Sequence, residues 1–264
     1  PNDPYCHPSF SAMTGNNDAN KPAQERQYNP MRPNAERLAP LAKELTQIVK
    51  KADHTRPVTL AAAFPELSAK LGFLDSLDVA GYNYKEHLYE ESHRAFPDKP
   101  FLGSENGHSL SAWKAVTDKP YISGQFLWTG IDYLGEAHGW PVHGSYAGVL
   151  TLAGFEKTGY YRRQSLWSEK PCVHLATCFA PENLEESQNE FLPVYENWNY
   201  LPGEEVLIKC YTNQPEVELV LNSVSLGTFT KEPDKDCITL TVPFEPGQLS
   251  ARCVKDGVCV ASHR

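Results

Sequence analysis

Residues 78–103 read DVAGYNYKEHLYEESHRAFPDKPFLG, and this stretch decides the fold of the first part of the chain. Asp78-Val79-Ala80-Gly81-Tyr82 is a short apolar run bounded by polar residues, which reads as a strand. Glu86 to Phe96 reads as a helix, and Phe101-Leu102-Gly103 as the next strand. A strand, a helix and a strand joined by short links form a parallel pair with a right-handed crossover.

The alternation continues outward. Upstream, Asn34 is placed as a helix N-cap with Glu36 in the first turn, and Lys50 and Lys51 close the last turn. Leu38, Leu41, Leu45 and Ile48 repeat at helical spacing and are expected to form one buried stripe. Arg56-Pro57 ends this helix. Val58 to Ala61 follows as a strand and Phe64 to Leu74 as a helix, and a further strand is placed near Phe10 to Met13. Downstream, Leu110 to Val116 reads as a helix and Gln125 to Trp128 as a strand.

After about residue 170 the pattern changes. Val206 to Tyr211, Val217 to Leu221, Ile238 to Val242 and Leu249 to Val254 are strand-like. Pro202-Gly203, Asn213, Asn222-Ser223, Pro246-Gly247 and Asp256-Gly257 punctuate them. This is an antiparallel sandwich pattern.

Composition narrows the function classes. The chain has 264 residues, 41% hydrophobic and 22% charged, enough to bury a core. The formal net charge of -9 supplies no basic face for phosphates, so no nucleic-acid partner is expected. No apolar run is long enough to span a bilayer. The opening Pro1-Asn2-Asp3-Pro4 is neither a start methionine nor a charged leader, which suggests a piece of a longer protein. A periplasmic or secreted bacterial protein is expected if the full-length chain carries a signal peptide, and a cytoplasmic one otherwise. The seven cysteines include no C-x-x-C pair, which argues against a zinc ribbon or a disulfide framework. Across the Asp256-Gly257 hairpin, 254 should pair with 259 and 253 with 260, so Cys253 and Cys259 should point to opposite faces.

Parallel α/β units carry functional groups at the C-terminal ends of their strands. In order these ends are Asn16-Asn17-Asp18, Asn83-Tyr84, Ser104-Glu105-Asn106 and Trp128-Thr129-Gly130, with Asp132 beyond. An indole face with amides and a carboxylate suits a sugar: the C–H face of a pyranose stacks on the ring, and its hydroxyls need planar donors and acceptors. Plainer readings stand beside these. Glu105 could be a surface acid, Trp128 core, His108 a loop cap and Asn83 a turn residue. The run Glu86-His87-x-x-Glu90-Glu91-x-His93 has metal-like residue types but reads as a solvated acidic helix face. Asp132 and Glu136 read as orienting or loop-holding acids, and Trp198 as sandwich core or interface. No metal and no cofactor is called for.

Gly124-Gln125-Phe126-Leu127-Trp128-Thr129-Gly130-Ile131-Asp132-Tyr133-Leu134-Gly135-Glu136 resembles the last-strand signature of the β-galactosidases of glycoside hydrolase family 2. Gly81-Tyr82-Asn83-Tyr84, Gly103-Ser104-Glu105 and His108, three residues past Glu105, fit the same family. Glu216 to Asn222 with Ser225-Leu226-Gly227 resembles its C-terminal β-sandwich. The resemblance implies a partial (β/α)8 barrel over residues 1–170 (about five βα units, strands 4 to 8) and an immunoglobulin-like sandwich over 171–264. It implies a retaining exo-β-glycosidase of β-galactosidase type acting on a terminal β-linked sugar. Glu105 is then the nucleophile, Tyr84 its hydrogen-bonding tyrosine, Trp128 a subsite wall, and Asn16 the amide on the 2-hydroxyl. His108 and Asn83 join them as substrate-binding candidates.

The acid/base departs from the family. Its motif there is Gly-Asn-Glu, whereas Gly15-Asn16 is followed here by Asn17, an amide that cannot donate as an acid. Three readings stand: a natural or engineered knockout at Asn17, Asp18 as substitute, or Glu25 entering from the following loop. A catalytically impaired sugar-binding remnant is the competing class. A family β-glucuronidase would carry an Asn-x-Lys clamp after the last strand, and no Asn lies between Trp140 and Tyr160. Where some β-galactosidases of the family have Asn before Gly, this chain has Ala147-Gly148. Since a barrel closes with eight strands, the missing strands and sugar-binding β-domains are expected before Pro1. A homo-oligomer is left open.

Overall fold

The computed structural model describes residues 37–137, 139–182, 190 and 192–264. The protein mixes helices with several sheets and divides into two compact units, one running to Trp128 and the other from Thr129.

In the first unit, β1 (Thr59–Ala62), β2 (Val79–Asn83), β3 (Phe101–Asn106) and β4 (Ile122–Leu127) form one parallel sheet in sequence order. Helix α1 (Leu38–Ala52) precedes it. The connections carry α2 (Pro65–Ser68), α3 (Tyr89–Ala95) behind a 3-10 turn at Glu86–Leu88, and α4 (Leu110–Thr117). Ser109 caps α4, its hydroxyl accepting from the Ala112 N–H at 3.1 Å. The core gathers Phe73, Leu74 and Leu77 with Ala80 and Tyr82 of β2 and Phe101 of β3. The Tyr82 and Phe101 rings meet edge to face at 5.5 Å.

Two expectations for this unit are corrected. Leu41, Leu45 and Ile48 are exposed, at 42%, 40% and 57%, while α1 buries Ala42 and Thr46. A helix period shows that one face is apolar, not which face meets the core, and the small Ala42 allows the closer approach. The helix placed over 64–74 shrinks to Pro65–Ser68, because the chain turns at Gly72 with φ +82° and the Ser68 hydroxyl bonds back to the Phe64 carbonyl at 3.0 Å. Asn34, Glu36 and the strand at Phe10 to Met13 lie outside the described residues. Lys50 and Lys51 do close α1, and Lys50 meets Asp78 at 2.5 Å.

The second unit opens with the short pair β5 (Tyr133–Leu134) and β6 (Gly144–Ser145), then α5 (Thr158–Trp167). Seven strands follow: β7 (Val173–Phe179), β8 (Glu205–Thr212), β9 (Glu216–Leu221), β10 (Val224–Thr230), β11 (Cys237–Pro243), β12 (Leu249–Lys255) and β13 (Val258–His263). They form two antiparallel sheets, β11-β8-β7 and β10-β9-β12-β13. Both sheets feed one core, with Leu175, Ile208 and Cys210 from the first and Leu219, Ala251 and Cys253 from the second. Helix α5 packs on β7 and β8, so β8 is buried on both faces, Lys209 and Tyr211 included. Arg162 of α5 bonds Asp236 and Glu190 there. No sequence pattern marks α5, β7 or β10.

The hairpin at Asp256-Gly257 has positive φ at both residues, 52° and 77°, as its turn type requires. Val254 faces Cys259 as expected. Cys253, however, faces Ala261 and not Val260, because a bulge intervenes. Cys253 is buried in the core and Cys259 is exposed.

Candidate active site

Because β2, β3 and β4 run parallel, their C-terminal ends share one edge of the sheet. That edge gathers Asn83, Tyr84, Glu105, His108 and Trp128. Its shape depends on a bulge. Tyr82 pairs with Gly103, but Asn83 pairs with Glu105, so Ser104 is the extra residue. In an unbulged ladder Asn83 would face Ser104 and the carboxylate would sit one place further on. The bulge instead brings both side chains to one amide. The Ser104 hydroxyl donates to Asn83 Oδ1 at 2.8 Å, and Asn83 Nδ2 donates to Glu105 Oε2 at 3.4 Å. Asn83 is buried, with 3% exposure.

Backbone bonds fasten the same edge. The Tyr84 N–H donates to the Glu105 carbonyl at 2.9 Å, and Tyr84 holds a left-handed φ of 53°. A non-glycine residue in that region signals a constrained turn. The Trp128 N–H donates to the Asn106 carbonyl at 2.9 Å, and His108 Nε2 lies 3.1 Å from the Trp128 carbonyl. Tyr84 is 42% and Trp128 36% exposed, so a phenol and an indole stay open to solvent at the two sides of Glu105.

Two glycines make this packing fit. A Cβ on Gly103 would stand 1.9 Å from Asn106 Oδ1, and one on Gly81 would stand 2.6 Å from the Leu60 carbonyl and 3.2 Å from Ser104 Cβ. Asn106 fills the space at Gly103, wholly buried, and its Nδ2 donates to Glu86 Oε1 at 2.7 Å. Burial pushes the neighbouring Tyr89 phenol up to about 12, against the opposing influence of Asn106. Beside Tyr84, Lys85 bonds Glu66 at 2.8 Å and lies 4.5 Å from the centroid of the Phe64 ring.

The remaining candidates separate. Asn16, Asn17, Asp18 and Glu25 lie outside the described residues. Asp132 is buried in the second unit, where it accepts from the Gly148 N–H and from Lys157, both at 2.9 Å. It holds a loop. Glu136 accepts from the Tyr133 hydroxyl. Trp198 packs against the sandwich core and donates to the Glu245 carbonyl at 3.1 Å. Along the run that begins at Glu86, His93 stacks on Tyr121 at 3.8 Å and Glu90 pairs with Arg94. No group among the described residues could hold a metal ion.

In the sequence Ser104 and Asn106 stand only as strand-end residues, with no role of their own. The signal that could have raised them is the pattern itself, since polar residues filling every place from 104 to 106 break the strand's alternation.

A β-galactosidase of Bacteroides ovatus is 33% identical over 270 residues, covering 84% of this chain and 30% of that protein. The crystal structure of a glycosyl hydrolase family 2 member from Bacteroides cellulosilyticus superposes with a TM-score of 0.75 at 32% identity, over 87% of this chain and 31% of that one. The chain belongs to glycoside hydrolase family 2. Residues 203–261 match the family described as a domain of unknown function (DUF4982). A putative β-glucuronidase of Formosa agariphila is 37% identical over 146 residues, covering 53% of this chain and 12% of that protein. This family 2 chain therefore spans less than a third of the length of the curated relatives it matches.

Proposed function

We propose that this chain forms part of a retaining exo-β-glycosidase of β-galactosidase type, with Glu105 as its nucleophile. The observation that carries the reading is the Glu105 carboxylate at the end of β3, bonded through Oε2 to the buried Asn83 amide and flanked by Tyr84 and Trp128. An oriented carboxylate beside an open indole and phenol fits a pyranose bound for attack at its anomeric carbon. A carboxylate oxygen bonds that carbon as the glycosidic C–O bond breaks, and water then hydrolyses the glycosyl-enzyme. Trp128 walls the subsite, His108 and Asn16 contact the sugar, and Tyr84 supports the nucleophile. Asn17 occupies the acid/base position, with Asp18 and Glu25 as the alternative acids.

In this reading β1 to β4 are strands 5 to 8 of a (β/α)8 barrel, and residues 1–170 form the C-terminal half of that barrel. Residues 171–264 form the immunoglobulin-like sandwich, supported by two antiparallel sheets over one core. The carbohydrate substrate and the missing N-terminal domains of the same chain are the partners. A β-glucuronidase is the second reading, favoured by the match to the Formosa agariphila protein and weakened by the lack of an Asn between Trp140 and Tyr160.

The test is mechanism-based labelling of the full-length protein. 2-Deoxy-2-fluoro-β-galactosyl fluoride and its glucuronic acid counterpart are incubated separately, and the modified residue is mapped by peptide mass spectrometry. Galactosyl label on Glu105 is expected. Label on another carboxylate, or binding without label, overturns the assignment, and label from the glucuronic acid probe alone selects the second reading.

A further inference from the structure

We propose that Ser104 and Asn83 are positioning residues that together hold the attacking carboxylate of Glu105. The inference rests on reading Glu105 as the nucleophile. It explains why the bulge in β3 stands where it does. With Ser104 as the extra residue, a hydroxyl and a carboxylate that neighbour each other in sequence both reach the same amide of β2. The Asn83 amide is fixed in direction by chemistry. Its Oδ1 accepts from the Ser104 hydroxyl at 2.8 Å, so Nδ2 is presented to the carboxylate. The reverse orientation would set Oδ1 against a carboxylate, one acceptor facing another. Burial of Asn83 removes water that would compete for either end. Gly81 clears the space on which Ser104 rests.

With Oε2 tied to the amide, Oε1 is the atom left to form the bond to the anomeric carbon. In the labelling reaction the Oε1–carbon bond forms, the carbon–fluorine bond breaks and fluoride leaves with the electron pair. Oε2 becomes the ester carbonyl oxygen and still accepts from Asn83. The relay therefore fixes the direction of attack, and in this proposal the Asn83 amide, engaged by protein at both ends, holds the carboxylate in place of the sugar contact expected of it from the family resemblance.

The experiment measures the labelling rate of Glu105 in the full-length protein with the fluorosugar that labels it, separating the maximal rate from the half-saturating concentration. A hydrogen bond to a charged group sets the scale for Asn83→Ala at ~10- to 100-fold, and the 3.4 Å length places it at the lower end. Ser104→Ala should slow labelling by about 2- to 10-fold, the scale of one neutral hydrogen bond. Both should leave the half-saturating concentration unchanged, and the double variant should label no slower than Asn83→Ala alone. A merely structural pair would lower the melting temperature without this rate pattern. Absence of label on Glu105 in the unaltered protein removes the nucleophile reading itself. If Glu105 is labelled but Ser104→Ala labels at the unaltered rate, or the two effects multiply, the relay is wrong. Ser104 is only partly buried, so its truncation keeps the test open should Asn83→Ala fail to fold.

Discussion

Lowering the pH from 7.5 to 5.0 should destabilise the second unit by ~2 kcal/mol through His174 alone. The ring is buried between α5 and the sheet, stacked on Tyr161 at 3.6 Å and 4.1 Å from His263. Burial, and then the charge of His263, pull its pKa from 6.5 down to about 3. Glu196 stands 3.3 Å from Nε2 and favours the charged ring, but this carboxylate is half exposed and burial outweighs it. Because the folded value is depressed, the folded state holds the ring neutral while the unfolded chain takes up a proton below about 6.5. The stability is intact above pH 6.5 and is lost progressively as the pH falls from there towards 3. At pH 5.0 the unfolded ring is favoured by about 1.5 pH units, which at ~1.4 kcal/mol each gives the stated figure. Urea unfolding at pH 7.5 and 5.0 checks it against His174→Phe, which retains an aromatic ring for the stack. The variant should lose ~2 kcal/mol less than the unaltered protein across this interval. An identical loss in the two proteins would refute the reasoning.

Three further outcomes are expected. Arg162→Met removes the guanidinium that bonds both Asp236 and Glu190 beside α5 and should cost about 3–5 kcal/mol in urea unfolding, with part recovered when Asp236→Asn and Glu190→Gln are added. Gly103→Ala drives a methyl group into the Asn106 amide and should cost about 1–3 kcal/mol in the same assay, since neither buried backbone nor buried amide can retreat freely. If Asn17 is a knockout of the acid/base, Asn17→Glu in the full-length protein should raise turnover of alkyl β-galactosides ~10²- to 10⁴-fold. It should barely change that of aryl galactosides with acidic leaving groups. A loss of activity in Asp18→Asn would instead assign the acid to Asp18.

The parallel sheet was legible because strands buried on both faces read as apolar runs, and Gly81, Tyr82, Phe101 and Gly103 mark two of them. The polar residues at their ends mark the sheet edge on which the active site is proposed. The bulge was not legible, since nothing in Gly103-Ser104-Glu105 says which residue goes unpaired, and with it the link from Ser104 to Asn83 stayed hidden. Helix α5 escaped because the side chains it buries are Arg162 and Ser165, polar groups where an apolar stripe is normally sought. Strand β7 escaped for the same reason: covered on both faces, it buries His174 and Thr177 among its apolar residues.

The unpaired residue in β3 also makes the length of this short segment as strict as its chemistry. Deleting Ser104 would restore an even ladder with Glu105 still opposite Asn83 but without the hydroxyl that orients its amide, while inserting a further residue would push the carboxylate out of that register. Substitutions at 104 therefore keep the register of Glu105, and an added residue there does not. A library built on this edge should vary residue identity and hold the number of residues fixed, whereas the exposed Asp256-Gly257 turn, at the end of the β12-β13 hairpin, is the place to accept insertions.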